Sequence, residues 1–344
     1  MILFYLILFC IPLYRLQFAG KGFQQDYLSV QQTNVIKGIF IWMVFFSHIT
    51  PYITQLSPFT CPLDTSVFTV QKLLGQLIVV PFLFYSGYGV MLSIMKKPAY
   101  LTSIPKKRIP VTFLNFAVAV LFFVALNLTL NISMTPKQIL LSLLMWDSVG
   151  NSNWYIFTIC FCYFASYVAF RICKNPPKGL KLLTLILLVF AVGMSFVKEG
   201  WWYDTCLAYA AGSYFACYKE RMEGFLRRHY TACITIFGGV ILASLILKAC
   251  IPDGLKYLAM NVCSVFFALF IVSVCFKVKL NSRLLEWSGK HLFPLYIYQR
   301  IPMLLLATVM GGSLVIGYKY LYVVACMVIV ILITTLYKYI AIRL

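Results

Sequence analysis

Charged residues are scarce in this chain, and acidic ones are the scarcest. Only 11% of its 344 residues are Asp, Glu, Lys or Arg, whereas 62% are hydrophobic, and the mean hydropathy is +0.89. A soluble fold of this length could not bury so much apolar surface. The composition therefore predicts an all-α, polytopic transmembrane bundle that forms a single domain over residues 1–344.

Patterns of residues that bind metals or form disulfides are also missing. The twelve cysteines are scattered, mostly inside apolar runs, no CxxC occurs, and the closest pair is Cys160 and Cys162. We interpret the cysteines as small buried hydrophobic residues. No cluster of His, Cys, Asp and Glu has metal-ligand spacing, so we expect no metal and no tightly bound cofactor.

The chain has no linker, no low-complexity stretch, no convincing internal repeat and no long loop. Without a long outer loop, a glycan polymerase is disfavoured. Without inverted repeats or paired broken helices, a transporter is disfavoured as well. The net charge of +20 is distributed loop by loop between apolar runs. It therefore indicates contact with a lipid bilayer and not with nucleic acid.

Apolar runs of spanning length predict ten core spans, near residues 35–52, 69–95, 110–130, 153–171, 181–197, 201–218, 231–251, 257–276, 291–309 and 320–338. A shorter run, 1–14, lacks a basic n-region and an obvious cleavage site. We therefore expect it to remain as a short N-terminal helix, the alternative being a cleaved signal peptide. The apolar segment 138–146 is too short to span, so we expect it to lie at the surface or to re-enter.

The basic residues predict the orientation of the bundle. If eleven spans alternate, 22 of the 29 Lys and Arg residues fall on one side. Because the side richer in Lys and Arg is usually cytoplasmic, the N-terminus is predicted outside and the C-terminus in the cytoplasm. We expect the inner (plasma) membrane as the location. Lys37 then lies near the cytoplasmic side, and His48 lies in the outer half of the same helix.

His48 lies inside an apolar run, eleven residues after Lys37. Eleven residues turn an α-helix through about 1100°, so the two side chains share one face, roughly 16 Å apart along the axis. An imidazole in a bilayer is costly unless it faces protein or water, and we interpret His48 as a general base or an acyl carrier. The alternatives are a packing hydrogen bond for His48 and an interfacial anchor for Lys37.

Arg300 lies near the middle of the predicted span 291–309, beside Gln299 and shortly before Pro302. No acidic residue occupies the middle of a predicted span, so Arg300 has no ion-pair partner at its own depth. We expect Gln299 and Arg300 to line a reaction cavity. A purely structural polar network is the alternative.

Three further groups of residues are candidates for binding. Lys106, Lys107 and Arg108 form a basic cluster that is either a phosphate clamp or only a topology signal. Ser86 and Tyr88 flank a glycine that permits close approach of another helix. Polar and aromatic residues on the predicted outer side form either a platform for a sugar ring or an ordinary interfacial belt, and these are Asp147, Asn153, Trp154, Tyr155 and Asp204.

The order of these motifs resembles the acyltransferase-3 family of integral-membrane O-acyltransferases, over roughly residues 30 to 340. That family opens with a basic residue, ten others and a histidine, as in Lys37 to His48. A Phe-rich stretch ending in Ser-Gly-Tyr, a basic loop before a proline and an aromatic helix start follow in the same order. The matching segments are Phe82–Tyr88, Lys107–Pro110 and Asn153–Ile156. One departure is Gln299, where many relatives carry a histidine.

The resemblance implies transfer of an acyl group, most often acetyl, from cytoplasmic acyl-CoA as co-substrate to a hydroxyl of a cell-envelope glycan or glycolipid. It implies that Lys37 and the cluster 106–108 bind the CoA phosphates, and we add Ser86 and Tyr88 to the donor site. His48 would act on the thioester, with Gln299 and Arg300 polarising its carbonyl or holding the acceptor. The alternative is a multi-pass transporter or flippase of an anionic glycan or lipid-linked precursor.

Overall fold

A computed structural model describes residues 1–56, 62–252, 255–309 and 311–342. These residues are predominantly helical, and nine helices among them are long and apolar enough to cross a membrane. The predicted fold class, an all-α polytopic bundle, is confirmed.

The helices in chain order are α1 Ile2–Leu13, α2 Val30–Leu56, α3 Pro62–Leu74, α4 Val80–Lys96, α5 Tyr100–Ser103, α6 Ile109–Thr129, α7 Pro136–Leu143, α8 Trp154–Ile172, α9 Pro176–Ser195, α10 Leu207–Cys217, α11 Lys219–Arg228, α12 Tyr230–Cys250, α13 Lys256–Lys277, α14 Arg283–Lys290, α15 Leu292–Tyr298, α16 Arg300–Val309 and α17 Gly311–Ile340. The 3-10 turns Gly75–Val79 and Gly200–Trp202 and the π-helical turn Ile104–Arg108 join some of them. Two short strands, β1 Gln17–Phe18 and β2 Val278–Lys279, pair antiparallel.

Nine of the ten predicted core spans correspond to a long apolar helix. The tenth, 201–218, is different, because its only α-helix is α10, which has 11 residues. A helix of that length rises only about 16 Å and cannot cross the roughly 30 Å hydrocarbon layer. Buried Asp204 and Thr205 precede it, in the turn that follows the 3-10 segment. The segment 138–146 contains only the eight-residue helix α7, too short to span, as predicted.

Contacts between distant segments define two ends of the bundle. At one, here called the basic end, β1 pairs with β2, and Tyr27 donates a hydrogen bond of 2.8 Å to Glu223. At the other, here called the opposite end, Lys198 Nζ donates 2.7 Å to the carbonyl of Trp146. The side chain of Asn261 at this end accepts from the backbone of Leu207 at 3.1 Å. The segments around residues 17–27, 223 and 278 thus lie together at the basic end, and those around residues 146, 198, 207 and 261 lie at the opposite end.

Glycines bring two pairs of helices into backbone contact. A Cβ added at Gly87 of α4 would lie 2.0 Å from the carbonyl oxygen of Tyr209 in α10, and one added at Gly212 would lie 2.0 Å from that of Phe84. Gly38 of α2 and Gly289 of α14 meet the opposing backbone in the same way. Small residues allow such close packing inside membranes, where dispersion contacts stabilise helix pairs. The second crossing fixes α2 beside α14 and thereby sets the position of His48.

We predict that Gly87→Ala destabilises the folded protein by at least about 2 kcal/mol, because backbone cannot yield to the added methyl group as a side chain would. Gly89 is the matched control on the same helix, since nothing lies within 4 Å of a Cβ added there. Thermal melting of both variants in detergent would measure the difference. Equal melting temperatures for Gly87→Ala and Gly89→Ala would contradict this packing.

Candidate active site

A series of aromatic rings from three other helices begins beside His48 of α2. The centroid of its ring is 6.2 Å from that of Tyr296 on α15. Tyr296 lies 5.2 Å from Tyr155 on α8, and Tyr155 lies 6.1 Å from Phe82 on α4. All three aromatic side chains are buried. His48 therefore adjoins a continuous file of rings that links α2 to α4.

His48 has the properties of a reactive group more than those of a packing residue. Its Nδ1 atom is buried and forms no hydrogen bond to any residue that the structure describes. An unsatisfied buried polar atom costs about 1–3 kcal/mol, unless water or a ligand bonds to it. The side chain nevertheless keeps some accessible surface. The imidazole therefore has an unpaired nitrogen and is partly accessible.

Arg300, the first residue of α16, faces the loop between α7 and α8. Its Nη1 lies 3.5 Å from the carbonyl oxygen of Asn151, and it is close enough to His48 for an electrostatic interaction. Within the described ranges, no carboxylate forms a salt bridge with Arg300, and its Nε is buried without a partner. The Nδ2 of Asn151, the Oγ of Ser152 and the Oε1 of Gln299 are also buried and unpaired in that part of the chain. These atoms offer several hydrogen-bonding groups to a ligand.

Internal hydrogen bonds hold the loop 147–153 against the bundle. Asn127 of α6 donates 2.7 Å to the carbonyl of Val149, and Asn153 donates 2.8 Å to that of Asp147. Gly150 has a φ of 103°, a conformation that residues with a Cβ rarely adopt. The loop is therefore folded inward, with Val149, Asn151, Ser152 and Asn153 all buried. It is a fixed wall of the site and not a free surface loop.

A cavity of about 490 Å³ opens at the basic end. Residues of α5, the π-helical turn, α6, α8, α15 and α17 line it, and these are Tyr100, Ser103, Lys107, Arg108, Val111, Thr112, Asn115, Tyr163, Phe293 and Tyr337. Two of the three residues of the predicted basic cluster, Lys107 and Arg108, thus share one cavity.

Tyrosine hydroxyls hold the guanidinium of Arg108 at the inner wall of this cavity. Arg108 donates 3.0 Å to Tyr163 and also donates to Tyr100. Its guanidinium carbon lies 4.3 Å from the centre of the Tyr163 ring, a cation–π contact. Ser86 lies 3.2 Å from the Tyr163 hydroxyl. Ser86 of α4 and Arg108 of the π-helical turn, both predicted for the donor site, therefore contact the same residue, Tyr163.

Two helices connect this cavity with His48. Tyr163 and Tyr155 share one face of α8, eight residues or about 12 Å apart. On the segment α15–α16, Phe293 lines the cavity, Tyr296 lies beside His48, and Arg300 meets the loop 147–153. We call the sequence of groups from Arg108 past Tyr163, Tyr155, Tyr296 and His48 to Arg300 the polar file. It runs through the bundle from the basic end towards the opposite end.

Four predicted site residues lie away from the polar file. Tyr88 packs against Phe215 of α10, with ring centroids 6.4 Å apart. Lys106 is exposed, Lys37 is half-buried on α2, and neither residue lines the cavity. Asp204 interacts electrostatically with Lys248 of α12.

Asp204 is a buried carboxyl group outside the membrane-spanning helices. Burial raises its pKa to about 7, and the positive charge of Lys248 opposes that shift. Its Oδ1 has no hydrogen-bond partner within the described ranges. No contact between Asp204 and the loop 147–153 is seen among the described residues.

The other predicted outer residues lie in or next to that loop. Asp147 accepts a hydrogen bond of 2.7 Å from the backbone of Ser148. Asn153 precedes α8 and bonds loop carbonyls, while Trp154 is half-buried, 6.0 Å from Tyr155. Of this group, Tyr155 belongs to the polar file, and Trp154 contacts it.

Sequence reasoning missed Tyr163, Tyr100, Asn151 and Ser152. Tyr163 lies eight residues after Tyr155 in a predicted span, so helical periodicity would have placed both on one face. The partner of Tyr163, Arg108, is 55 residues away in the sequence. No local pattern reveals such a pairing. Asn151 and Ser152 lay within a stretch already recognised as polar, but its inward fold was not predictable from the spacing.

The fold defines a multi-pass membrane protein, and the polar file lies in its interior. Comparison with protein families gives a match to an acyltransferase domain, the acyltransferase-3 family, over residues 30–339. The chain belongs to this family of membrane acyltransferases, as the motifs predicted. Comparisons with curated proteins and with solved structures gave no match.

Proposed function

We propose that this protein transfers an acetyl group from cytoplasmic acyl-CoA to a hydroxyl of a cell-envelope glycan or glycolipid. The observation that carries the proposal is the accessible, unpaired His48, which lies between a cavity with cationic residues and a wall of unpaired polar atoms. A donor and an acceptor that arrive from different ends of the bundle would meet at this imidazole.

The cavity at the basic end is suited to the donor. Arg108 and Lys107 supply positive charge to the phosphates of CoA, and the planar fork of Arg108 suits phosphate oxygens. The basic end is assigned to the cytoplasm, where acyl-CoA is found, because cytoplasmic loops are enriched in Lys and Arg. The thin pantetheine arm would pass Tyr163 and bring the thioester to the level of Tyr155 and His48.

The chemistry requires one proton acceptor and one group that stabilises negative charge. The acceptor hydroxyl oxygen attacks the thioester carbonyl carbon, the C–O bond forms, and the C–S bond breaks. His48 takes the hydroxyl proton and returns it to the CoA thiolate. Arg300 stabilises the charge that develops on the carbonyl oxygen. In the other possible order, His48 first accepts the acyl group on a ring nitrogen and then passes it to the hydroxyl.

The acceptor is assigned to the wall formed by the loop 147–153 and Arg300. Asn151 and Ser152 present an amide and a hydroxyl there, and Gln299 presents a carbonyl oxygen. Such groups bond to the many hydroxyls of a sugar, and the half-buried ring of Trp154 offers a surface on which a sugar can stack. An acceptor rich in hydroxyl groups would also form hydrogen bonds with these buried polar atoms. Without such partners, the atoms destabilise the folded protein.

We expect His48→Ala to reduce acetyl transfer at least about 100-fold, the usual contribution of a general base. Cells that lack the protein would be complemented with each variant, and their surface glycans would be analysed for O-acetyl groups by mass spectrometry. His229→Ala is the matched control, because that histidine is exposed. Normal glycan O-acetylation by a stably expressed His48→Ala protein would refute the assignment.

We expect Arg108→Lys to raise the KM for acetyl-CoA about 10- to 100-fold while kcat changes much less. Lysine keeps the charge but loses the contacts to two tyrosines, and a group far from the thioester binds ground and transition states alike. Lys106→Gln is the control, since Lys106 is exposed beside the cavity without lining it. Initial rates in membrane vesicles, with protein level and melting temperature measured alongside, give both constants. A lower kcat with an unchanged KM would assign Arg108 to the chemical step instead.

A further inference from the structure

The aromatic rings beside His48 have a further consequence for the donor, which rests on the function proposed above. Phe82 is 2% exposed, and its ring meets that of Tyr155 nearly edge-on, at an interplanar angle of 80°. Tyr155 is 7% exposed and Tyr296 is 2% exposed. Because side chains in protein interiors are close-packed, three buried rings in contact leave little room for additional atoms between them.

Phe82 lies where the acyl group would arrive once the thioester of the donor reaches the level of Tyr155 and His48. Ser86 marks the inner wall of the cavity through its contact with Tyr163, and Phe82 lies four residues earlier on α4, one turn closer to the opposite end. Tyr155 lies beyond Tyr163 on α8 in the same direction. A donor that extends from the cavity therefore meets the pair Phe82–Tyr155 with the end of its acyl chain.

We propose that Phe82 and Tyr155 form a wall that restricts the donor to short acyl chains, with acetyl accepted and longer chains excluded. Phe82 has no titratable or hydrogen-bonding group, so its contribution to this wall is its volume. Added methylene groups on the donor would have to displace buried rings, which costs free energy as overpacking does. Discrimination of about 10- to 200-fold for each methylene is the range that such apolar pockets achieve.

The chain offers a matched pair of phenylalanines on α4 for a test. Phe84 is 1% exposed, and its ring contacts Phe215 of α10 at 5.9 Å, on the side away from Tyr155. Phe82→Ala and Phe84→Ala therefore remove the same atoms from the same helix at equal burial. Only the first removes them from the proposed wall.

The experiment measures transfer from radiolabelled acetyl-CoA and butyryl-CoA to the glycan fraction, in membrane vesicles from cells that make the wild-type protein or a variant. We expect wild-type kcat/KM to favour acetyl-CoA by at least about 100-fold, since butyryl carries two more methylene groups. Phe82→Ala should reduce this ratio at least about 10-fold, and Phe84→Ala should leave it unchanged. Phe82→Leu removes less volume, so it should reduce the same ratio by a smaller factor. This variant provides the test if Phe82→Ala does not fold.

The possible results separate this inference from the function on which it rests. Wild-type protein that uses butyryl-CoA as well as acetyl-CoA would overturn the wall, and so would equal changes of the ratio in Phe82→Ala and Phe84→Ala. Unchanged ratios in both Phe82 variants would overturn it too. Wild-type vesicles that transfer neither acyl group from CoA would instead contradict the proposed function.

Discussion

Polar side chains inside a bilayer have no bulk water to hydrogen-bond with, and they must be satisfied by one another or by a ligand. The interior of this protein meets that constraint in two different ways. Arg108 is surrounded by hydroxyls of Tyr100 and Tyr163 and by an aromatic face. His48 and Arg300 keep buried nitrogen atoms without partners in the part of the chain described here. The tyrosines therefore fix the position of the Arg108 guanidinium at the cavity wall, whereas His48 and Arg300 still have nitrogen atoms that can bond to a ligand.

Helix packing supports this arrangement from outside the polar file. The glycine crossings of α4 with α10 and of α2 with α14 bring the backbones so close that an added Cβ would collide with a carbonyl group. Because α14 continues into α15, the position of Gly289 against α2 also sets the level of Tyr296 relative to His48. The packing of α4 against α10 also positions Phe82 beside the ring of Tyr155 on α8. The aromatic side chains near the His48 imidazole are thus positioned by the glycine crossings, which lie elsewhere on the same helices.

Much of this fold could be predicted from hydropathy, because each long apolar helix is a local property of the sequence. The exception was α10, whose helical part is short and lies inside the bundle, so lipid did not determine its length. His48 and Arg300 were recognisable as site residues, since ionisable groups within spans are costly. Pairings between distant segments were not recognisable. Arg108 with Tyr163 and Arg300 with Asn151 depend on which helices become neighbours, and Tyr88 and Asp204 likewise face helices that local sequence does not identify.

The central claim is that donor and acceptor approach His48 from different ends of one polar file. Sealed membrane vesicles of the two opposite orientations test it most directly, with radiolabelled acetyl-CoA added only to the outside medium. Inverted vesicles expose the cytoplasmic face, and they should transfer label to glycan that becomes accessible to external glycosidases only after the vesicles are opened. Right-side-out vesicles should transfer none until they are permeabilised. Efficient transfer by intact right-side-out vesicles would contradict the account.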